Sequence, residues 1–152
     1  MAMLQFTDEQ IVFQEVPGEV SLAFTVAGCP LGCKGCHSSY SWRSDQGTAL
    51  TPLYLQHRLD SYKGLISCVL FLGGEWQPDA LIALLELSRS ANLNTCLYTG
   101  LDDVSPALKQ RLTYLKTGRW HSERGGLDSL HTNQIFTDLR TGQRLNHLFI
   151  RQ

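Results

Sequence analysis

Val20-Ser21-Leu22-Ala23-Phe24-Thr25-Val26-Ala27-Gly28-Cys29-Pro30-Leu31-Gly32-Cys33-Lys34-Gly35-Cys36-His37 carries a β-rich apolar run straight into a Cys-x3-Cys-x2-Cys triplet. The run alternates only loosely, as expected of a strand covered on both faces. The cysteine loop therefore follows a strand's C-terminal end, where α/β folds gather loops and helix N-termini around a ligand crevice. Three thiolates on one short loop make a metal site. The glycines at 28, 32 and 35 let the backbone take positive φ angles and curl around a ligand cage. Iron–sulfur clusters are ordinarily held by four cysteines, and this loop supplies three. A four-iron cluster here would leave one iron without a protein sulfur, and an open position separates a metal that does chemistry from one that braces a fold. The competing reading is a structural zinc knuckle or an electron-carrier cluster. It needs a fourth ligand, and the local candidate, His37, is awkwardly close behind Cys36.

Working outward, 152 residues at 43% hydrophobic and 18% charged fit one domain, 1–152, able to bury a real core. The first residues lack a basic start followed by an apolar core, so no signal peptide is expected. The longest apolar run, 66–72, is far short of a membrane span. An odd cysteine count with three crowded together points to a reducing compartment, and the expectation is a cytoplasmic protein without nucleic-acid or membrane partners. The net charge of −1 conceals an asymmetry: residues 1–108 carry five Lys/Arg against eleven Asp/Glu, and 109–152 carry eight against three. This either steers an acidic partner or anionic ligand toward the C-terminal part, or is spread over solvated faces.

In chain order, residues 1–18 are expected to form an N-terminal arm folded as a β-hairpin, with a turn at Pro17-Gly18. Residues 38–50 read as a long loop or lid. A helix follows over 52–62, a buried strand over 66–72 and a helix opening at Pro78 with Leu81, Ile82, Leu84, Leu85 and Leu87 facing the core. Then come a strand over 94–100, a helix from Val104 to Leu112 and a strand over 113–118. This alternation points to βαβ units and an α/β fold, an open, partial barrel of mostly parallel strands. The tail, 119–152, reads as a loop and a C-terminal β-hairpin, 134–139 with 144–150, turning at Thr141-Gly142.

A three-cysteine loop after the first core strand, Gly73-Gly74-Glu75 after the second and polar strand ends beyond resemble the radical S-adenosylmethionine (SAM) superfamily. Within it the chain is similar to the small activases that install a glycyl radical, above all those of anaerobic ribonucleoside-triphosphate reductases. The resemblance implies that Cys29, Cys33 and Cys36 ligate three irons of a [4Fe–4S] cluster, with SAM's methionyl amino and carboxylate groups on the fourth. It implies one-electron cleavage of SAM to a 5′-deoxyadenosyl radical that abstracts hydrogen from a glycine of the partner reductase, the electron coming from a reduced flavodoxin or ferredoxin-type donor. The cofactors carry the hard chemistry, and the protein positions them and excludes water.

The cofactor-binding set is then Gly35, His37, Gly73, Gly74, Glu75, Tyr98, Thr99 and Lys116. Two glycines let backbone approach a ligand, and the Glu75 carboxylate suits SAM's ammonium. Tyr98, Thr99 and Lys116 end later strands, where they either reach SAM's carboxylate or ribose or simply cap those strands. Many superfamily members carry an aromatic before the third cysteine; Gly35 matches the reductase activases instead. Tyr114 stands where pyruvate formate-lyase-type activases carry an Asp of a cation site. Thr132-Asn133-Gln134 resembles an Asn-Gln pair of the reductase activases. Cys68 and Cys96, inside expected strands, read as small buried hydrophobes. His121 and His131 are candidates for the active-site mouth, and Trp42 and Trp76 for its lining or for packing. Another glycyl-radical enzyme as target, a small-molecule radical SAM enzyme and a non-catalytic metal-binding module are the alternatives.

Overall fold

The computed structural model describes residues 3–28 and 47–150. Among them are eight strands: β1 (Leu4–Val12), β2 (Ser21–Val26), β3 (Thr48–Leu50), β4 (Cys68–Leu72), β5 (Asn94–Tyr98), β6 (Tyr114–Thr117), β7 (Ile135–Asp138) and β8 (Gln143–Arg144). The helices are α1 (Pro52–Ser61), α2 (Pro78–Ser90) and α3 (Pro106–Lys109). The strands form one sheet in the order β3-β1-β2-β4-β5-β6-β7-β8. Its centre, β2 to β6, is parallel and arises from βαβ crossovers, while β1, β3, β7 and β8 add antiparallel pairs at its flanks. The expected mostly parallel partial barrel is thus corrected to an open mixed sheet, because hairpin-type neighbours extend both edges of a short parallel core.

All six residues of β2 are buried, as a loosely alternating apolar strand requires. Its odd and even positions feed two cores. Leu22, Phe24 and Val26 join Val69, Phe71, Leu97 and the helix leucines, among them Leu55, Leu81, Leu84 and Leu85. Ala23 joins Cys68, Leu70, Cys96, Tyr114 and Phe136 on the other face, covered by Val16 and Leu127. α1 begins where Thr51 Oγ1 accepts from the Tyr54 amide at 3.0 Å, and Pro52 fills the first turn. α2 buries Leu81, Leu84, Leu85 and Ser88, a stripe at helical spacing. Phe71 is fully enclosed and stacks on Phe24 at 6.1 Å between ring centroids. Phe71→Ala is expected to cost about 3–5 kcal/mol, read as a lower urea midpoint.

Four local expectations change. The arm is no self-contained hairpin: β1 is one nine-residue strand paired to both β2 and β3, since Leu4 and Phe6 belong to the main core. The end of the expected lid is strand β3, with Leu50 opposite Leu4. α3 is four residues long: Asp103 Oδ1 captures the Val104 amide, Ser105 is the N-cap, and i→i+3 bonds to Leu108 and Lys109 close the segment after it. The Thr141-Gly142 turn forms, with Gly142 at φ 75° and its amide on the Asp138 carbonyl. The returning strand is only β8, followed by a 3₁₀ helix over Asn146–Phe149. There the Asn146 side chain accepts from the Phe136 amide and donates to the Gln134 carbonyl, each at 2.8 Å, in place of a backbone ladder.

Part of the charge asymmetry is spent within the fold. Arg111 reaches back to Glu86, Lys109 to Asp103, Arg140 pairs with Asp138, and Lys116 is buried. Among the described residues no helix is long and apolar enough to cross a membrane.

Candidate cofactor site at the strand ends

Parallel pairing aligns the strand ends. Thr25 lies opposite Leu72, Leu72 opposite Tyr98, and Tyr98 opposite Lys116. Gly28 (φ 91°), Gly73-Gly74-Glu75, Thr99 and Thr117-Gly118 therefore leave the sheet along one edge. Cys29, Cys33, Gly35, Cys36, His37 and Trp42 lie outside the described residues; the chain enters their segment from this same edge.

Gly73 and Gly74 take φ angles of 104° and 110°, a region that side chains rarely adopt. Their reason is packing as much as ligand approach. A Cβ on Gly73 would sit 2.7 Å from the Trp76 ring, which folds back over it, and one on Gly74 would meet Leu4 at 3.3 Å. Trp76 is thus used for packing. Gly73→Ala combines backbone strain with this clash and is expected to destabilise by about 1–3 kcal/mol. Thermal unfolding followed by tryptophan fluorescence checks it.

Glu75 stands just beyond this turn. Thr99 Oγ1 donates to its Oε1 at 2.7 Å, while Oε2 is enclosed and has no hydrogen-bond partner among the described residues. Burial pushes the carboxyl above its usual range, opposed by the Thr99 hydroxyl, its own backbone amide and the Lys116 charge. A desolvated carboxylate oxygen without a donor is costly, and it suits a cationic N–H group that supplies one.

Thr99 is buried, and its Oγ1 also accepts from the Leu101 amide at 3.1 Å. Lys116 Nζ donates to the carbonyls of Thr99 and Gly118, each at 3.2 Å, and lies 5.5 Å from the Tyr98 ring centroid. It stitches the ends of β5 and β6 together, the capping role open to it in the sequence. The Tyr98 hydroxyl donates to the Glu15 carbonyl, and burial pushes this phenol far up.

The sequence offered no physical role for Thr132-Asn133-Gln134; the structure supplies one. Gln134 Nε2 donates to the Gly118 carbonyl at 3.4 Å, Asn133 Nδ2 to Arg119 O at 3.0 Å and Thr132 Oγ1 to Gly125 O at 3.0 Å. These bonds clasp the loop after β6 onto the strand ends. Gly118, at φ 106°, has no room for a Cβ, which would lie 3.0 Å from Asn133 O.

Other candidates stay apart. His121 lies 3.8 Å from the Glu123 carboxylate, and exposed His131 accepts Arg124 Nε on its carbonyl. Cys68 and Cys96 are fully buried as expected, and burial pushes the Cys68 thiol up to about 12 and that of Cys96 well up. No three His, Cys, Asp or Glu gather as metal ligands among the described residues.

The family model of the 4Fe-4S single cluster domain matches residues 16–116, well over half of the chain. The chain belongs to this family. A comparison with curated proteins found no match. As a 4Fe-4S single cluster domain, the protein takes an iron–sulfur cluster, and the matched segment runs from ahead of β2 to Lys116 at the end of β6. Its donor chemistry fits. Of the five cysteines in that segment, Cys68 and Cys96 are sealed in the sheet with their thiols held protonated, leaving Cys29, Cys33 and Cys36 on the glycine-rich loop.

Proposed function

We propose that this protein is a radical SAM activase that generates a glycyl radical on an anaerobic ribonucleoside-triphosphate reductase. On this reading Cys29, Cys33 and Cys36 hold the cluster. One observation carries the SAM part: Glu75 Oε2, enclosed and without a hydrogen-bond partner among the described residues, on the edge from which the cysteine loop departs. A methionyl ammonium is the donor that oxygen lacks. Bound together, cluster and SAM supply one-electron reductive cleavage of a sulfonium, the source of a hydrogen-abstracting radical. The protein's part is to hold and orient. Glu75 grips the ammonium, Thr99 fixes the carboxylate's other oxygen, and Lys116 and Gln134 keep the strand ends closed behind them.

The electron donor on this reading is a reduced flavodoxin or ferredoxin-type protein. The test is anaerobic reconstitution with iron and sulfide, then dithionite and SAM, with 5′-deoxyadenosine measured by chromatography. The cognate reductase is then added and its glycyl radical sought by electron paramagnetic resonance. Fully loaded protein that leaves SAM intact would overturn the reading. Cleavage without a radical on the reductase would move the target to another glycyl-radical enzyme or a small molecule.

A further inference from the structure

The sheet face bearing Ala23, Leu70, Cys96 and Phe136 is buried beneath Val16 and Leu127. Between the turn after β1 and the C-terminal 3₁₀ helix runs a groove of about 920 Å³, whose lining includes Phe13, Glu15, Tyr98, Asp128, Leu148 and Phe149. Its apolar walls are open to solvent, with Phe13 66% and Leu148 52% exposed. Phe149 packs on Phe136 at 5.1 Å between centroids, which fixes that wall to the sheet. Tyr98, one wall of the groove, also has Lys116 Nζ 5.5 Å from its ring centroid.

Size and charge select the occupant. The volume is at the upper end of small-ligand pockets and holds several residues of an extended chain. Among the described residues the charged side chains lining it are both carboxylates: Glu15, whose Oε2 is enclosed without a hydrogen-bond partner among them, and exposed Asp128. Neither forms an ion pair among the described residues. Two unpaired acids repel nucleotides and other anionic metabolites and attract a cation. Exposed aromatic and aliphatic walls suit the side chains of a polypeptide.

We propose that this groove docks an extended segment of the protein substrate, and that Glu15 and Asp128 receive a lysine or arginine side chain of that segment. The inference rests on the proposed function only in taking the substrate to be a polypeptide. A guanidinium or ammonium offers donors to the carboxylates of Glu15 and exposed Asp128, and charge-assisted bonds of this kind are the strong ones. The apolar walls give affinity, and the two acids give register beside Tyr98.

The test uses fluorescein-labelled dodecapeptides built around one glycine, with Arg, Gln or Glu at the same neighbouring position. Binding to the reconstituted protein is followed by anisotropy. The Arg peptide is expected to bind about tenfold or more tightly than the Gln peptide, with the advantage shrinking as salt rises. Asp128→Asn and Glu15→Gln should each remove most of that preference, and Leu148→Ser should weaken all three peptides alike. The Glu15 contact to Tyr98 is made by its carbonyl, so Glu15→Gln leaves that bond in place; Asp128→Asn, at an exposed position, repeats the test should the first variant not fold. Equal affinity for the three peptides, or a preference unchanged in Asp128→Asn, overturns the proposal. So does a concentration-dependent dimer abolished by Phe13→Ser, which would give the groove to a second copy of the chain. The measurement needs neither SAM nor reductant. SAM cleavage without peptide discrimination sinks the groove alone, and discrimination without cleavage sinks the radical chemistry alone.

Discussion

Cys33→Ala is expected to strip the protein of its cluster, with iron and sulfide falling from the four-iron complement of the family to a small fraction of it after anaerobic reconstitution. The loop supplies three sulfurs where clusters ordinarily have four, so no spare protein thiolate stands ready to replace one. Cys68 and Cys96 cannot substitute: both are fully buried, and burial holds their thiols protonated far above neutral pH. Cys68→Ala is therefore the control that keeps its iron. Because a cluster that binds only the folded chain stabilises it, loading should raise the thermal midpoint of wild type and Cys68→Ala but not of Cys33→Ala. The cluster-free forms of wild type and Cys33→Ala should unfold together. Wild-type iron retained in Cys33→Ala would remove the triplet from the site; iron lost in a folded Cys68→Ala would place a ligand inside the sheet.

The features legible in the sequence were those with a period or a fixed chemistry. β2 and β4 were visible as apolar runs, β5 and β6 as short strands in the alternation with helices, α2 from its leucine stripe, and the end of β2 from the cysteines behind it. What escaped depends on partners distant in sequence. β3 is three residues, too short for any period, and exists because β1 offers it an edge. The expectation of mostly parallel strands failed because a parallel βαβ pattern does not announce that β1, β7 and β8 will extend the sheet by antiparallel pairing. α3 looked longer because Leu108 and Leu112 are helically spaced, yet Asp103 and Pro106 hold back its start. At the site, Gly73-Gly74-Glu75 was legible as a turn with a carboxylate, but its clash with Trp76 was not. The bond from the Gln134 side-chain amide to the Gly118 carbonyl joins residues 16 positions apart, for which composition carries no signal.

Glu75→Gln is expected to do two opposite things. On the proposed reading it removes the charge that holds SAM's ammonium, and loss of a charge-assisted bond worth about 1.5–3 kcal/mol weakens SAM binding roughly 10- to 100-fold, with the cluster retained. In the unliganded protein the same change should stabilise. Burial raises the Glu75 carboxyl in the folded state. A raised folded value means that this group's contribution is fully present below the ordinary carboxylate pKa and is lost as pH rises through the folded value. The neutral amide escapes that loss, so the gain in thermal midpoint should appear at neutral pH and vanish under acid conditions. Wild-type affinity for SAM should run the other way, falling as pH drops and the carboxyl takes a proton. Thr99→Val and Lys116→Met test whether the support behind Glu75 matters. Thr99 Oγ1 bonds the carboxylate and the Leu101 amide, and Lys116 fixes the Thr99 carbonyl. Each variant should weaken SAM binding, and the double variant should lose less than the sum of the two, because Lys116 acts partly by holding the Thr99 backbone and partly by its charge on Glu75. Calorimetric losses that add in full would mean that Lys116 acts independently of Thr99. Equal affinity in wild type and Glu75→Gln would remove Glu75 from the ligand altogether.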